Sequence, residues 1–220
     1  LHERKTVVVL AGEMVGLTDL SAAVESERIV RRNLRFLRRM RRCVARHGGR
    51  IESWQDDTFL AFFGLPRTSE HDLERALACA RDICAIARDA PPDGPRTDLV
   101  IGVHTGEISV GTRVGRRLRY LGHGDTMKLS RRLCMEGDLG EVLVSELVAR
   151  LARRRWHLAP GPRVRLRGAP QLLRSWRLLR PRRRVEADGG RWMPRGRELD
   201  VVREALERLG GGQGGLLSVQ

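Results

Sequence analysis

The stretch GGRIESWQDDTFLAFFG, residues 48–64, places two adjacent aspartates between two short apolar runs. These runs cover residues 51–54 and 58–63, and their spacing predicts a β-hairpin with Asp56 and Asp57 at its tip. Aspartate is a common turn residue because its side chain hydrogen-bonds nearby backbone groups. The position alone therefore leaves two interpretations open, a turn former and a functional carboxylate.

The segments around this hairpin alternate between strand and helix patterns. A β-branched apolar run at residues 6–10 predicts a buried first strand. Apolar residues recurring every three to four positions predict helices over residues 21–46, 70–88 and 126–135. Residues 99–111 are interpreted as two strands that meet at the turn HTGE. The class is therefore α+β with one mixed sheet.

The charge of the chain is concentrated near its C-terminal end. The net charge is +15 over 220 residues, and about sixteen arginines against two acidic residues lie between residues 150 and 197. Three tryptophans are the aromatic residues of this stretch, so we interpret it as a solvated basic face or linker rather than a nucleic-acid site. No apolar run reaches the roughly 18 residues of a membrane span. We expect a cytoplasmic fragment without membrane contact.

The cysteines and histidines give no metal-binding motif by spacing. The four cysteines form no CxxC pair, and we expect them to be reduced and mostly buried. They are Cys43, Cys79, Cys84 and Cys134. The histidines away from the predicted strands also show no ligand spacing. These are His47, His71, His123 and His157.

Five ordered motifs together resemble the class III nucleotidyl cyclases, the adenylate and guanylate cyclase catalytic domain. They are VVVLAGEMVGLTDL, GGRIESWQDDTFLAFFGLP, IGVHTGEISVGTRVGRRLRYLGHGD, GEVLVSELVARL and VRLRGAPQLLRSWRLL. The resemblance covers about residues 5–179. It implies the nucleotide cyclase fold, a ferredoxin-like mixed sheet with flanking helices. It also implies active sites shared by two protomers, in a head-to-tail homodimer or a heterodimer with another cyclase domain.

The resemblance implies a metal and phosphate site on the first strand and at the hairpin tip. In the family, two carboxylates hold two Mg²⁺ or Mn²⁺ ions that activate the ribose 3′ hydroxyl of ATP and neutralise its triphosphate. The matching carboxylates are Glu13 and Asp57, with Met14 beside them, whereas Asp56 replaces a glycine. The matching triphosphate positions follow directly: Val15, Gly16, Leu17 and Thr18.

Other matching positions depart from the family. The family's transition-state asparagine and arginine correspond to Lys128 and Arg132, so only the arginine is kept. The base-reading positions correspond to Ser53 and Leu121, and both have lost the family residue. His104 falls where the family commonly has a histidine outside the catalytic set, and we expect it to have a structural hydrogen-bonding role.

These departures favour one of two functional hypotheses. The first is a catalytically degenerate cyclase-homology domain that dimerises or senses a nucleotide. The alternative is a working adenylate cyclase that converts ATP to cyclic AMP and diphosphate with two Mg²⁺ ions, Glu13 and Asp57 on the metals and Arg132 on the transition state. The loss of both base-reading residues and of the asparagine favours the first.

The C-terminal residues resemble a different family. We expect the cyclase-like domain over residues 1–180, a linker over 181–192, and a second unit over 193–220. The segment RGREL, followed by a helical pattern and the apolar LLSVQ, resembles the start of a signal-transduction P-loop ATPase module. The glycine run in residues 210–215 lacks the lysine of a phosphate loop and is interpreted as a flexible turn.

Overall fold

A computed structural model describes most of the first 182 residues and a few positions beyond them. The described residues are 3–15, 27–55, 57–89, 98–110, 113–114, 117–118, 125–166, 171–182, 204–205, 207–208 and 211. Contacts divide the chain into two compact units, Leu1–Arg182 and Arg183–Gln220. All strands and helices given below belong to the first unit.

The first unit is built on a seven-stranded mixed sheet with the order β2-β3-β1-β4-β7-β9-β8. Its strands are β1 (Glu3–Val15), β2 (Arg50–Gln55), β3 (Thr58–Phe63), β4 (Asp98–Val110), β7 (Val142–Ser145), β8 (Trp156–Val164) and β9 (Leu173–Pro181). Strands β5 (Arg113–Val114) and β6 (Arg117–Leu118) form a separate small hairpin. The β4–β7 pair is parallel and the other pairs are antiparallel.

Four helices cover the two faces of this sheet. They are α1 (Glu27–Arg46), α2 (Asp72–Arg88), α3 (Asp125–Met135) and α4 (Glu146–Ala152). Alternate residues of β1 point to opposite faces, as strand geometry requires. Val8 and Leu10 join a core with α1, α2 and α4, whereas Val7 and Val9 pack with Cys134 of α3. Both faces of β1 are buried, and this burial explains why its hydrophobic pattern is continuous and does not alternate.

The predicted hairpin and the predicted mixed-sheet fold are confirmed. Strands β2 and β3 pair antiparallel, from Arg50 opposite Phe62 to Gln55 opposite Thr58. The helices end where the sequence predicted, and Gly48, with φ of 76°, follows the end of α1. No described helix is both long enough and apolar enough to cross a membrane.

The interpretation of residues 99–111 as two strands was wrong. Strand β4 runs without interruption from Asp98 to Val110 and pairs with β1 over its whole length. Gly106 lies inside the strand, where a Cβ would stand 2.6 Å from Oγ1 of Thr126 on α3. The glycine therefore permits close approach of a helix and does not form a turn.

Candidate active site

Backbone pairing places Glu13, near the end of β1, beside the hairpin tip that carries Asp57. Glu13 stands opposite Thr58 in the β1–β3 register, and Asp57 is the residue before Thr58. The backbone N–H of Met14 donates a hydrogen bond of 2.8 Å to the carbonyl oxygen of Asp57. Thr58 closes the turn by donating from Oγ1 to the carbonyl oxygen of Gln55 at 3.0 Å. The hairpin tip is thus fixed to the end of β1 by backbone contacts.

Met14 can serve this site only through its backbone. Its side chain is 1% exposed and belongs to the core on the α1 and α2 side of the sheet. Val15, the last residue of β1, is exposed. Five other positions named in the sequence analysis lie outside the described residues. They are the triphosphate positions Gly16, Leu17 and Thr18, together with Asp56 and Leu121.

A cavity of about 330 Å³ lies beside Glu13, between the strands and α3. Ser53 lines this cavity together with Glu13, so one base-reading position and one metal position open into the same space. Arg131 and Cys134 of α3 form another part of the wall. The sequence comparison with the family singled out neither of them, because the family motif names their neighbour Arg132 instead.

The remaining predicted catalytic residues, Lys128 and Arg132, both contact acidic residues, one in the first turn of α3 and one directly after its last residue. The Nζ of Lys128 lies 3.3 Å from Oδ1 of Asp125, on a side chain that is 69% exposed. The guanidinium of Arg132 contacts Oε1 of Glu136 at 2.6 Å. Neither Lys128 nor Arg132 is among the described residues that line the cavity beside Glu13.

Helix α3 is held against the sheet by polar contacts to strand backbones. Ser130 is fully buried and its hydroxyl lies 3.2 Å from the carbonyl oxygen of Val9. Thr126 donates from Oγ1 to the carbonyl oxygen of Glu107 at 2.8 Å. These contacts fix which face of α3 points inward and therefore where Lys128 and Arg132 stand.

His104 has the structural role expected from the sequence. Its Nδ1 lies 2.7 Å from the hydroxyl of Ser145, and that hydroxyl also accepts a hydrogen bond from the backbone N–H of Val148 as the N-cap of α4. Burial lowers the pKa of His104 from 6.5 to about 4. The neutral imidazole and the Ser145 hydroxyl share this hydrogen bond, so the histidine links β4 to the start of α4.

The cysteines are all buried, as expected. Burial raises the pKa of Cys134 to about 12, and its thiol contacts the carbonyl oxygen of Val100 at 3.2 Å. A different cluster was not predicted from the sequence: Cys43 of α1 and His47, directly after that helix, lie close to Asp82 of α2. The four-residue spacing of Cys43 and His47, which puts both on one helix face, was the available signal.

The fold agrees with comparisons to known proteins. A family model described as "Adenylate and Guanylate cyclase catalytic domain" matches residues 2–178. The chain belongs to this family, whose members use a nucleotide substrate with Mg²⁺ or Mn²⁺.

A curated relative is similar to most of this chain. The uncharacterized protein Rv1320c of Mycobacterium tuberculosis is 32% identical over 180 residues, which cover 78% of this chain and 31% of that protein. The chain therefore spans about a third of the length of the curated relatives it matches.

Solved structures match at the level of the fold. The guanylyl cyclase Cya2 superposes with a TM-score of 0.74 at 22% identity, over 84% of this chain and 97% of that one. The guanylate cyclase domain of RhGC from Catenaria anguillulae, in complex with GTP, gives 0.72 at 15% identity, over 82% and 100%.

Proposed function

We propose that this chain is a catalytically degenerate cyclase-homology domain that serves a longer signalling protein by dimerising or by binding a nucleotide. The observation that carries the proposal is the position of Ser53. It lines the cavity beside Glu13, at the position where the resemblance implies a base-reading lysine. A serine hydroxyl is too short to replace a lysine side chain, and a site without its hydrogen-bonding group discriminates poorly between bases.

The carboxylates that remain suit a hard divalent cation. Glu13 and Asp57 lie at the joined ends of β1 and β3, and the backbone of Met14 lies between them. Carboxylate and carbonyl oxygens are the ligands that Mg²⁺ and Mn²⁺ prefer. Bound there, such ions would supply charge neutralisation for a triphosphate. The donor set therefore supports retained binding of a metal–nucleotide complex.

Turnover is a stricter requirement than binding. Glutamate at position 13 is one methylene longer than the aspartate that the resemblance implies, and Mg²⁺ tolerates little departure from octahedral geometry at about 2.0–2.1 Å. A misplacement of about 1 Å in a reacting geometry costs on the order of 100-fold in rate. We therefore expect feeble turnover even where a nucleotide binds.

Helix α3 supports a site shared between two protomers. Lys128 and Arg132 do not line the cavity beside Glu13 of their own chain, as far as its described walls show. A head-to-tail partner would bring its α3 to the Glu13 cavity, in a homodimer or in a heterodimer with another cyclase domain. In a heterodimer, an intact partner would supply the asparagine that Lys128 replaces.

The sequence beyond the cyclase-like domain supports a place in a multidomain regulator. We propose domain bounds of 1–180 for the cyclase-like part and 193–220 for the start of a P-loop ATPase module, joined by residues 181–192. The curated relatives are about three times longer than the matched region, which leaves room for further domains. The cyclase-like part would then be a regulatory element of that longer protein.

A second candidate function is a working adenylate cyclase. The observation in its favour is that both metal carboxylates stand at one strand end and that Arg132 is kept. In that case Glu13 and Asp57 hold two Mg²⁺ ions, Arg132 stabilises the transition state, and ATP is converted to cyclic AMP and diphosphate.

Cyclic nucleotide production separates the two candidates. The purified chain is assayed with ATP or GTP and with Mg²⁺ or Mn²⁺, beside a variant that carries Glu13→Asp, Ser53→Lys, Leu121→Thr and Lys128→Asn. We expect at least about 100-fold more product from this variant, because it restores both metal geometry and base recognition. Adding Asp57→Ala to the variant is the control and should remove the gain.

The opposite pattern would establish the second candidate. Turnover by the unmodified chain that Asp57→Ala abolishes, at a rate that the four substitutions do not raise, would show that Ser53 and Lys128 belong to a competent site. Binding of a fluorescent ATP analogue, measured in parallel, separates a nucleotide-sensing domain from one that only dimerises.

A further inference from the structure

A second cluster of metal-ligating side chains lies between α1 and α2, apart from the strand ends that carry Glu13 and Asp57. A ring nitrogen of His47, the Sγ of Cys43 and a carboxylate oxygen of Asp82 all lie within 4.8 Å of one another. One of these contacts joins Nε2 of His47 to Oδ2 of Asp82 at 2.9 Å. Three different ligand types from two helices therefore converge on one point.

Local structure explains why these side chains meet. Cys43 is fully buried in α1, and His47 follows the last residue of that helix, four positions later. The backbone N–H of His47 donates to the carbonyl oxygen of Cys43 at 3.2 Å, which continues the helical turn and keeps both side chains on one face. Asp82 lies on α2, which packs beside α1. The packing of the two helices thus assembles the cluster.

The ligand set selects a class of metal. Thiolate sulfur and imidazole nitrogen favour zinc and other borderline or soft transition metals, whereas Mg²⁺ and Ca²⁺ require oxygen ligands. With Zn–S distances of about 2.3 Å and Zn–N distances of about 2.0 Å, tetrahedral ligands lie roughly 3.3–3.8 Å apart. The observed upper limit of 4.8 Å is wider by about 1 Å, a gap that side-chain rotation closes.

The surroundings suit an accessible site with three protein ligands. The Asp82 side chain is 55% exposed and that of His47 is 22% exposed, so the cluster opens to solvent on the side away from Cys43. Cys79 of α2 contacts the Cys43 thiol through a hydrogen bond from inside the core. The guanidinium of Arg46 also lies beside Cys43, where its positive charge favours a thiolate. A bound cation would stabilise the thiolate in the same way.

We propose that Cys43, His47 and Asp82 form a binding site for Zn²⁺ or a similar transition metal, with a fourth position open to water. The ion fastens the end of α1 to α2. Cys79 supports the Cys43 sulfur as a hydrogen-bond partner and is not itself a ligand. The site is independent of the cyclase chemistry proposed above, because it uses none of its residues.

The test uses Co²⁺ as a spectroscopic probe and Zn²⁺ as competitor, on the tag-free chain kept reduced with a phosphine. We expect one Co²⁺ per chain with a thiolate-to-cobalt charge-transfer band, and Zn²⁺ should displace it and raise the melting temperature. Cys43→Ser should abolish the band. His47→Ala and Asp82→Asn should each weaken Zn²⁺ binding by at least about tenfold.

Matched variants keep the test decisive if Cys43→Ser disturbs the core. His47 and Asp82 are accessible, so their variants should retain the circular dichroism of the parent chain. Cys84→Ser, another buried thiol of α2, and His71→Ala, an exposed histidine, should leave the band and the affinity unchanged. Cys79→Ser should keep the band.

Several results would overturn the proposal. One is a parent chain that shows no charge-transfer band, and another is Zn²⁺ affinity that survives both His47→Ala and Asp82→Asn. A band that disappears in Cys84→Ser or Cys79→Ser would also contradict the three assigned ligands. Asp57→Asn should not affect Zn²⁺ binding, so failure here stays distinguishable from failure of the proposed cyclase-like function.

Discussion

Strand β1 and helix α3 carry the two halves of the chemistry that the cyclase resemblance implies, and they have kept different parts of it. At the end of β1 both carboxylates are present, and backbone pairing joins Glu13 to the Asp57 turn. On α3 the arginine is present but contacts Glu136, and the asparagine position holds Lys128, which contacts Asp125. At the end of β1, the departure from the family is in side-chain length, a glutamate in place of an aspartate. On α3, the departure is in the type of functional group, a lysine in place of an asparagine.

The contacts that place α3 differ from the positions where the chain departs from the family. They run from Ser130 and Thr126 to strand carbonyls and depend on small hydroxyl residues and on glycines in β4. Ser53 and Lys128 take no part in these contacts. We therefore expect substitutions at these two positions to leave the placement of α3 unchanged.

The largest effect is expected from a substitution that disturbs the packing of α3 against the sheet, because this packing joins the two halves. A Cβ on Gly102 of β4 would overlap the backbone oxygen of Ser130 and the backbone nitrogen of Cys134. Gly102→Ala must push α3 off the sheet, and we expect it to lower the free energy of unfolding by about 3 kcal/mol. Urea denaturation measures this loss.

Gly106→Ala on the same strand is the matched control. The nearest atom to its Cβ would be Oγ1 of the Thr126 side chain, at 2.6 Å, with Nε2 of His104 at 3.5 Å, and a side chain can rotate where a helix backbone cannot. We expect a loss of about 1 kcal/mol. Equal losses for the two variants would mean that α3 shifts easily, and the fixed relation between the two halves would not hold.

A metal-binding measurement sharpens the contrast between the halves. We expect Asp57→Asn to weaken Mn²⁺ binding, followed by electron paramagnetic resonance, by at least about tenfold, since it neutralises a ligand charge. Arg132→Ala should leave Mn²⁺ affinity within about twofold of the parent chain, because the role proposed for the arginine is contact with the nucleotide and not with the ion.

Two controls guard this measurement. Cys43→Ser should not change Mn²⁺ binding, because Mn²⁺ prefers oxygen ligands to sulfur. Equal weakening by Asp57→Asn and Arg132→Ala would show that the two halves act as one unit. Absence of Mn²⁺ binding to the parent chain would show that Glu13 cannot replace an aspartate.

The sequence predicted the fold well where hydrophobic pattern and turn residues agree. The β2–β3 hairpin and the ends of α1 and α2 follow from local periodicity and from Gly48. Residues 99–111 were misjudged because Gly106 is a turn residue in most local contexts, and its actual role depends on Thr126, a residue 20 positions further along the chain. Such long-range packing leaves no local signal.

The candidate site was predictable only through the family resemblance, and then only in part. Glu13 and Ser53 line one cavity, and backbone pairing places Asp57 beside the end of β1, whereas the role of each residue in a metal or nucleotide site stays a prediction. The ion pairs of Lys128 and Arg132 follow from i,i+3 and i,i+4 spacing on α3 and were present in the sequence. The cluster of Cys43, His47 and Asp82 needed the packing of two helices, which the sequence does not show.

The smallest expected effect concerns the strength of the Arg132–Glu136 pair. A double-mutant cycle with Arg132→Ala, Glu136→Ala and the combined variant, followed by urea denaturation, isolates the coupling free energy. Because the two side chains are 37% and 30% exposed and lie four residues apart on a helix, we expect about 0.3–0.5 kcal/mol. That value corresponds to about a twofold change in an equilibrium.

The magnitude of this coupling decides where the proposed catalytic defect of the α3 half would lie. At about 0.5 kcal/mol, the guanidinium leaves Glu136 at little cost when a phosphate is near, since a charge-assisted contact to phosphate is stronger. The defect then rests on Lys128 and Ser53, and Glu136→Gln would raise the rate of the four-substitution variant by no more than about twofold. A coupling above about 2 kcal/mol would instead show that Glu136 keeps Arg132 from contacting a nucleotide. Neither of the two predicted catalytic positions of α3, 128 and 132, would then supply a working group.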